Sequence, residues 1–377
     1  MSKLPATGTN IFTIMSALAT THQAINLGQG FPDYQMDATL VNLVHTAMQE
    51  GFNQYVPMSG YTPLLQTLAN KIETLYHHQI NPATDITITP GGTYAIYTAL
   101  ISILHPGDEV IVFQPCYDSY IPNIIINGAI PVLVDLEFPG FTIDWEKVKS
   151  KITHKTRAII INSPHNPTGT ILYENDLLAL QQIILDTNII IISDEVYEHI
   201  VFDNEKHESV LKYPELANRS FACFSFGKVF NATGWKLGYA VAPQHLMNEF
   251  KKVHQYNAFS CNSPMQVAIH HYLQQPDSYR QLSTIQQQKR DYFSELIKTS
   301  KFNLLPSKGS FFICADYSGI STEPDTQFAI RLTEQYKIAT IPLSVFYENK
   351  TDNRIIRVCF AKKESTLQQA AEKILSI

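Results

Sequence analysis

Cysteine is sparse in this chain. The five present, Cys116, Cys223, Cys261, Cys314 and Cys359, are scattered with no C-x-x-C pair among them, which excludes a paired-thiol zinc site and a disulfide framework. Thiols spaced in this way suit buried positions in a reducing cytosol. Long apolar runs are missing too, so nothing spans a bilayer. The stretch from Ile11 to Ala19 is short, weakly apolar and preceded only by Lys3, which is a poor signal sequence. Charge of one sign is not in excess: 34 acidic against 28 basic residues leave −6, which argues against nucleic acid or a membrane surface as the main partner. Internal repeats are absent, and the only biased tract is Gln286-Gln287-Gln288. A cytoplasmic enzyme is the expectation, and in that compartment the sequons at Asn218 and Asn231 carry no meaning.

A chain of 377 residues is too long for one ordinary core, so two domains are expected. Helical spacing runs from Asp37 to Gln49 and from Gly60 to His77, with Asp37 and either Ser59 or Thr62 as caps. From there to Gln274 helices alternate with apolar strands, predicted at Ile86–Thr89, Val110–Phe113, Ile130–Val134, Ala158–Asn162, Ile189–Ser193, Phe221–Phe226 and Leu237–Ala242. Several are apolar on both faces, as in a mostly parallel α/β sheet covered by helices on each side. Ligands of such sheets sit beyond the carboxyl ends of the strands. The residues that follow these strands are Gly91-Gly92-Thr93, Tyr117, Asn166, Asp194 and Lys228. Near Gln275 the pattern changes to a long polar helix, Tyr279 to Lys298, then strands at Phe311–Ala315, Ala339–Pro342 and Arg354–Cys359 and a last helix from Ser365. The expected division is a large domain over residues 32–275 and a smaller α+β domain made of 1–31 together with 276–377.

The segment from Ser225 to Tyr239, SFGKVFNATGWKLGY, sets Lys228 after the apolar run Phe221–Phe226. A lysine following a strand usually points to water. Here it is joined by a hydroxyl at Ser225, a second cation at Lys236, and glycines that permit close backbone approach. Together they describe a lysine held beside a phosphate. Gly91-Gly92-Thr93-Tyr94 opens a helix over Ala95–Leu104, and a helix N-terminus with small residues favours an anion.

With those residues in view, the chain resembles the pyridoxal-phosphate (PLP) aminotransferases of fold type I, whose lysine signature matches Ser225 to Tyr239. The likeness extends from NLGQGFPD, Asn26 to Asp33, to IRVCFAK, Ile356 to Lys362. Within that family the chain is most similar to the bacterial methionine aminotransferases and the kynurenine aminotransferase and glutamine transaminase group. The resemblance implies that Lys228 carries the cofactor and then moves the substrate Cα proton, a role that needs a neutral amine. It implies that Asp194, in DEVY, pairs with the ring nitrogen, with a plain helix N-cap as the alternative. Tyr197 and Asn166 would hydrogen-bond the phenolate oxygen, and a cis peptide is expected before Pro167. Glu195 reads as structural.

Gly92, Thr93, Ser225 and Lys236 are the expected phosphate contacts, with a lysine where many relatives carry arginine. Tyr117 matches the aromatic that stacks on the ring, although a core tyrosine is as good a reading. Tyr55 matches a tyrosine that reaches the neighbouring subunit's phosphate, which implies a homodimer with shared sites. Arg357 is the expected carboxylate clamp, assisted by Asn166 and Gly30, with Arg354 as its rival. Phe12, Phe31, Tyr61, Phe259 and Phe346 stand where relatives place aromatics around the substrate, which suits methionine or aromatic side chains. No second substrate arginine is recognisable, which disfavours dicarboxylic substrates. The implied activity is a ping-pong transfer of an amino group from an L-amino acid to a 2-oxo acid, with no metal. A PLP-dependent cysteine-conjugate β-lyase is the alternative, since the same lysine and aspartate serve it. More distant is a hydrolase built on Ser225-x-x-Lys228, which lacks that class's other motifs. A dinucleotide fold through Gly28-x-Gly30 fails because Asp33 stands at the third glycine.

Overall fold

The structure is a computed structural model and describes residues 2–5, 7–275 and 277–377. Runs of β-branched residues make its centre. Strands β1 (Ile86–Thr89), β2 (Glu109–Gln114), β3 (Ile130–Asp135), β4 (Thr156–Asn162), β5 (Ile190–Asp194), β6 (Ser220–Ser225) and β7 (Gly238–Val241) form a seven-stranded sheet in the order β1-β7-β6-β5-β4-β2-β3. Neighbours from β6 through β3 pair in parallel, and only β7 runs against its two neighbours. Ile159, Ile191 and Ile192 are fully buried. Strands covered on both faces need apolar residues at every position, which is why alternation is absent from these segments. Each such side chain contributes roughly 1.5–3 kcal/mol relative to exposure.

A four-stranded antiparallel sheet lies in the C-terminal third, built from β8 (Asn303–Leu304), β9 (Phe312–Asp316), β10 (Ile341–Pro342) and β11 (Ile355–Cys359) in the order β10-β11-β9-β8. Its apolar residues share a second core with Tyr197, Ile200 and Phe202 from the large sheet's loops. The N-terminal helix α1 (Ile11–Thr21) is followed by Ile25–Asn26, which pairs in parallel with Ile338–Ala339.

Several boundaries differ from the sequence reading. Phe226 leaves the strand and opens a one-turn helix to Val229. The stretch Ala339–Pro342 is not one strand: Ile338–Ala339 pairs with the N-terminal segment and Ile341–Pro342 with β11, so each half belongs to a different sheet. The helix expected over Tyr279–Lys298 breaks into Asp277–Arg280 and Leu282–Leu296. Asp37 caps its helix by accepting from Thr39 N, whereas the next long helix starts at Thr62 with Tyr61 as a cap that makes no side-chain bond.

Candidate active site

Five parallel strands end at the same edge of the sheet, so their following residues converge although they are far apart in sequence. A cavity of about 170 Å³ lies there, lined by Gly92, Thr93, Tyr117, Asn166, Asp194, Tyr197, Ser225, Lys228 and Lys236. Asp194 ends β5 and is 4% exposed. A turn rather than a helix follows it, which removes the N-cap reading. Its Oδ2 accepts from the Tyr120 hydroxyl at 2.5 Å and its Oδ1 from Val196 N at 3.3 Å. No cation among the described residues forms a salt bridge with it, and burial pushes its pKa up to about 6 against the pull of the Tyr120 hydroxyl.

Lys228 sits in the short helix after β6, half-buried, and its Nζ donates to the Gly30 carbonyl at 2.9 Å. The ammonium lies 5.6 Å from the centre of the Tyr197 ring and 5.9 Å from that of Phe311. Burial pushes its pKa down to about 8, which brings a neutral amine within reach of ordinary pH. A Cβ on Gly30 would meet Phe312 Cζ at 2.6 Å, so any larger residue would push that ring aside.

At the other end of the cavity α2 (Gly92–Ile103) begins. A Cβ on Gly92 would lie 2.6 Å from Val196 Cγ1, so a larger residue would be driven into that side chain. Thr93 Oγ1 and the Tyr117 hydroxyl are 3.2 Å apart. Lys236 Nζ lies 3.6 Å from where a Gly91 Cβ would stand. Unpaired helix N–H groups, two hydroxyls and a lysine thus gather at one point, a combination suited to an anion.

Arg357 on β11 is 1% exposed. Its Nη1 donates to Asn166 Oδ1 at 2.7 Å and its Nη2 to the Gly28 carbonyl at 2.7 Å, while Nε has no partner among the described residues. Phe12, Phe312 and Phe346 surround the guanidinium, with ring centres at 5.0, 3.9 and 5.2 Å. Burial pushes its pKa down to about 10. Arg354 is exposed at the strand's start. The Asn166–Pro167 peptide is cis, as expected, and so are those before Pro115, Pro139 and Pro164.

Other predicted residues stay outside this cavity. Tyr55 is 80% exposed and packs edge-to-face on Phe259 at 5.4 Å. Tyr61 packs on Phe52 and His270, and Phe31 is exposed beside Lys362. Two residues of the site escaped the sequence reading. Tyr120 stands three residues after Tyr117, a spacing that sets both at the same end of the sheet. Asn162 accepts from Asn166 N at 2.9 Å and donates to the Asp194 carbonyl at 2.8 Å. Glu195 faces away from the cavity and accepts from Ser193 Oγ, Val210 N and His207 Nε2.

Comparison with known proteins identifies the family. The family model described as aminotransferase class I and II matches residues 22–374. The chain is 46% identical to the methionine aminotransferase of Escherichia coli over 99% of this chain and 97% of that one. It is 32% identical to kynurenine–oxoglutarate transaminase 3 of Rattus norvegicus, over 96% of this chain and 87% of the other. The solved structure of YbdL from Escherichia coli, reported with a methionine aminotransferase function, superposes with a TM-score of 0.97 at 44% identity, covering 100% of this chain and 99% of that one.

Proposed function

Because this chain belongs to the class I and II aminotransferase family and is an amino-acid aminotransferase of the PLP fold type I class, we propose that it works with pyridoxal 5′-phosphate held by Lys228 and prefers methionine or an aromatic or glutamine-like L-amino acid as donor. Members of the family are PLP-dependent. The donor set fits that group: an amine, a buried carboxyl without a cation, a phenol with an amide, and an anion cradle at one end of one cavity. When bound, pyridoxal phosphate supplies an aldehyde for an amine and a ring that accepts the electron pair left at the substrate Cα.

Lys228 would provide the attaching amine and, once displaced, would take the proton from Cα and return it two atoms further along, beyond the amino nitrogen, the step that distinguishes transfer from elimination. Its depressed basicity suits an amine that must begin neutral. Asp194 keeps a ring nitrogen protonated, and a cation there would relieve the burial that raises its pKa. Tyr197 and Asn166 donate to the phenolate oxygen, and Tyr117 supplies an aromatic face. The N-terminus of α2 with Thr93, Ser225 and Lys236 receives the phosphate. Arg357, its Nε still free, joins Asn166 and the Gly30 backbone in holding the substrate carboxylate. Phe12 and Phe346 wall the side chain with apolar surface, which favours a thioether or ring over a second carboxylate.

The assembly is a homodimer in which the exposed Tyr55, with Phe259 against it, completes the neighbouring subunit's site. Residues 32–275 make the cofactor domain, and 1–31 with 276–377 make the smaller one. The five cysteines are free thiols and four of them are buried, in keeping with a reducing cytoplasm. Among the described residues no helix is long and apolar enough to cross a membrane.

The observation that carries the reading is Lys228, Asp194 and Asn166 in one cavity with Arg357 a single hydrogen bond beyond. The test is visible absorption of the purified protein mixed with L-methionine and no oxo acid. The expected result is a band that bleaches once and returns on adding a 2-oxo acid. Steady release of ammonia and pyruvate from cysteine conjugates alone would move the reading to a β-lyase. The lack of any band after reconstitution would remove the role given to Lys228.

A further inference from the structure

A second cavity, of about 220 Å³, lies behind the catalytic one and shares Asn162 with it. Most of its wall is apolar, formed by Phe113 of β2, Ile161 of β4, Phe141 and Ile143 from the hairpin after β3, and Leu172, with Thr142 and Thr170 among the polar residues. The charged groups at its rim are already engaged. Lys308 Nζ pairs with Asp203 at 3.0 Å, and Asp176 accepts from Trp145 Nε1 and Tyr173 N. Tyr120 and Asn162 also line it, but their polar ends turn to Asp194 and Asn166. His165 is different. It is 7% exposed, its Nδ1 lies 2.6 Å from Thr168 Oγ1, and its Nε2, in a side chain that lines the cavity, has no partner among the described residues. Burial holds the ring neutral, with its pKa pushed down to about 3.

We propose that this cavity is a second ligand site, separate from the catalytic one, for a small uncharged aromatic carrying one hydrogen-bonding group that meets His165 Nε2. Size, charge and polarity each narrow the ligand. An apolar cavity of about 150 Å³ accepts benzene, whereas pockets for drug-sized ligands begin near 300 Å³; the present volume therefore takes one ring or a fused pair. No free charge on the rim awaits an ion, and a charged ligand would lose hydration without compensation. One unpartnered imidazole nitrogen asks for one polar group. Phenol is the suitable probe, because its hydroxyl both donates and accepts and so serves either imidazole tautomer.

The experiment is calorimetric titration of the holoenzyme with phenol, with and without saturating pentanoate, an amine-free acid that occupies the substrate carboxylate site. One saturable phenol site that persists with pentanoate is expected. Ile143→Trp, which fills the cavity, should weaken it at least tenfold. His165→Phe should bring phenol down to the affinity of benzene, a loss of about fivefold for one hydrogen bond. Absence of saturable binding, displacement by pentanoate, or unchanged affinity in Ile143→Trp would each overturn the proposal. Because the readout is phenol binding, the result is independent of which amino acid the enzyme prefers.

Discussion

The segment from Asp194 to His199 divides two buried polar clusters that behave in opposite ways. On one side Glu198 meets Lys71 Nζ at 2.6 Å and the Tyr76 hydroxyl at 2.6 Å, and Glu195 meets His207 at 2.8 Å. Burial opposes the Glu198 charge, but His199 and Lys71 override it and hold the carboxyl well below its usual range. Burial pushes the His199 imidazole itself down, and Lys71 Nζ stands nearer to Glu198, at 2.6 Å against 3.3 Å for His199 Nε2. On the other side, Asp194 is pushed up to about 6, Lys228 down to about 8 and Arg357 down to about 10, each chiefly by burial. The first cluster pairs its own charges; the second leaves them wanting partners. Burial of charge alone therefore does not mark a site, whereas burial without compensation does.

Substitutions can break that distinction. The largest effect is expected from Lys228→Ala, which should lower the transfer rate by more than about 10⁴-fold, beyond what general acid–base catalysis alone accounts for. Visible absorption and single-turnover bleaching would measure it, and an unaltered far-ultraviolet spectrum would show that the fold survives. Glu198→Ala should act the other way, costing about 3–5 kcal/mol of stability by stranding Lys71, with the activity of the folded fraction kept within a few-fold. Denaturant midpoints and active-site titration separate the two terms. If Glu198→Ala lost activity and kept stability, the two clusters would not be distinct in function.

Arg357→Lys replaces a fork with a point charge and should raise KM for the amino acid about 100-fold, as loss of a charged hydrogen bond of about 2–3 kcal/mol implies, with kcat less affected. The pH dependence sharpens the same point. An amine with a pKa of about 8 is mostly protonated at pH 7 and mostly neutral at pH 9. Uptake of pyridoxal phosphate by the apoprotein should therefore speed up about tenfold over that interval and level off above it. A rate that keeps climbing toward pH 10 would show that burial does not depress Lys228. The smallest change is expected from Lys236→Ala, with cofactor affinity lowered about five- to tenfold, since an N-terminus and two hydroxyls remain at the anion site.

Much of the site was legible because parallel strands share a direction: the residue after each apolar run had to lie at the same edge, which placed Gly92, Tyr117, Asn166, Asp194 and Lys228 together before any side chain was positioned. The choice of Arg357 over Arg354 rested on the family resemblance, because apolar neighbours alone leave an arginine either at a strand edge or buried; the structure buries Arg357 and exposes Arg354. Tyr120 was not legible, since nothing local distinguishes a tyrosine whose hydroxyl meets Asp194, 74 residues away. The split of Ile338 to Pro342 between two sheets was hidden for the same reason: a short stretch that is apolar except for Thr340 looks alike whichever strand each half will join.

The sequence by itself determined the sheet, its direction, and the identity of the groups at its edge, because apolar periodicity and strand polarity are local properties that survive in a linear text. Only the tertiary structure decided which of those groups would be compensated. The 2.7 Å bond from Arg357 to Asn166 spans 191 positions and that from Lys71 to Glu198 spans 127. Solvation and pairing of a charge depend on what distant chain folds around it, and no window of residues contains that information.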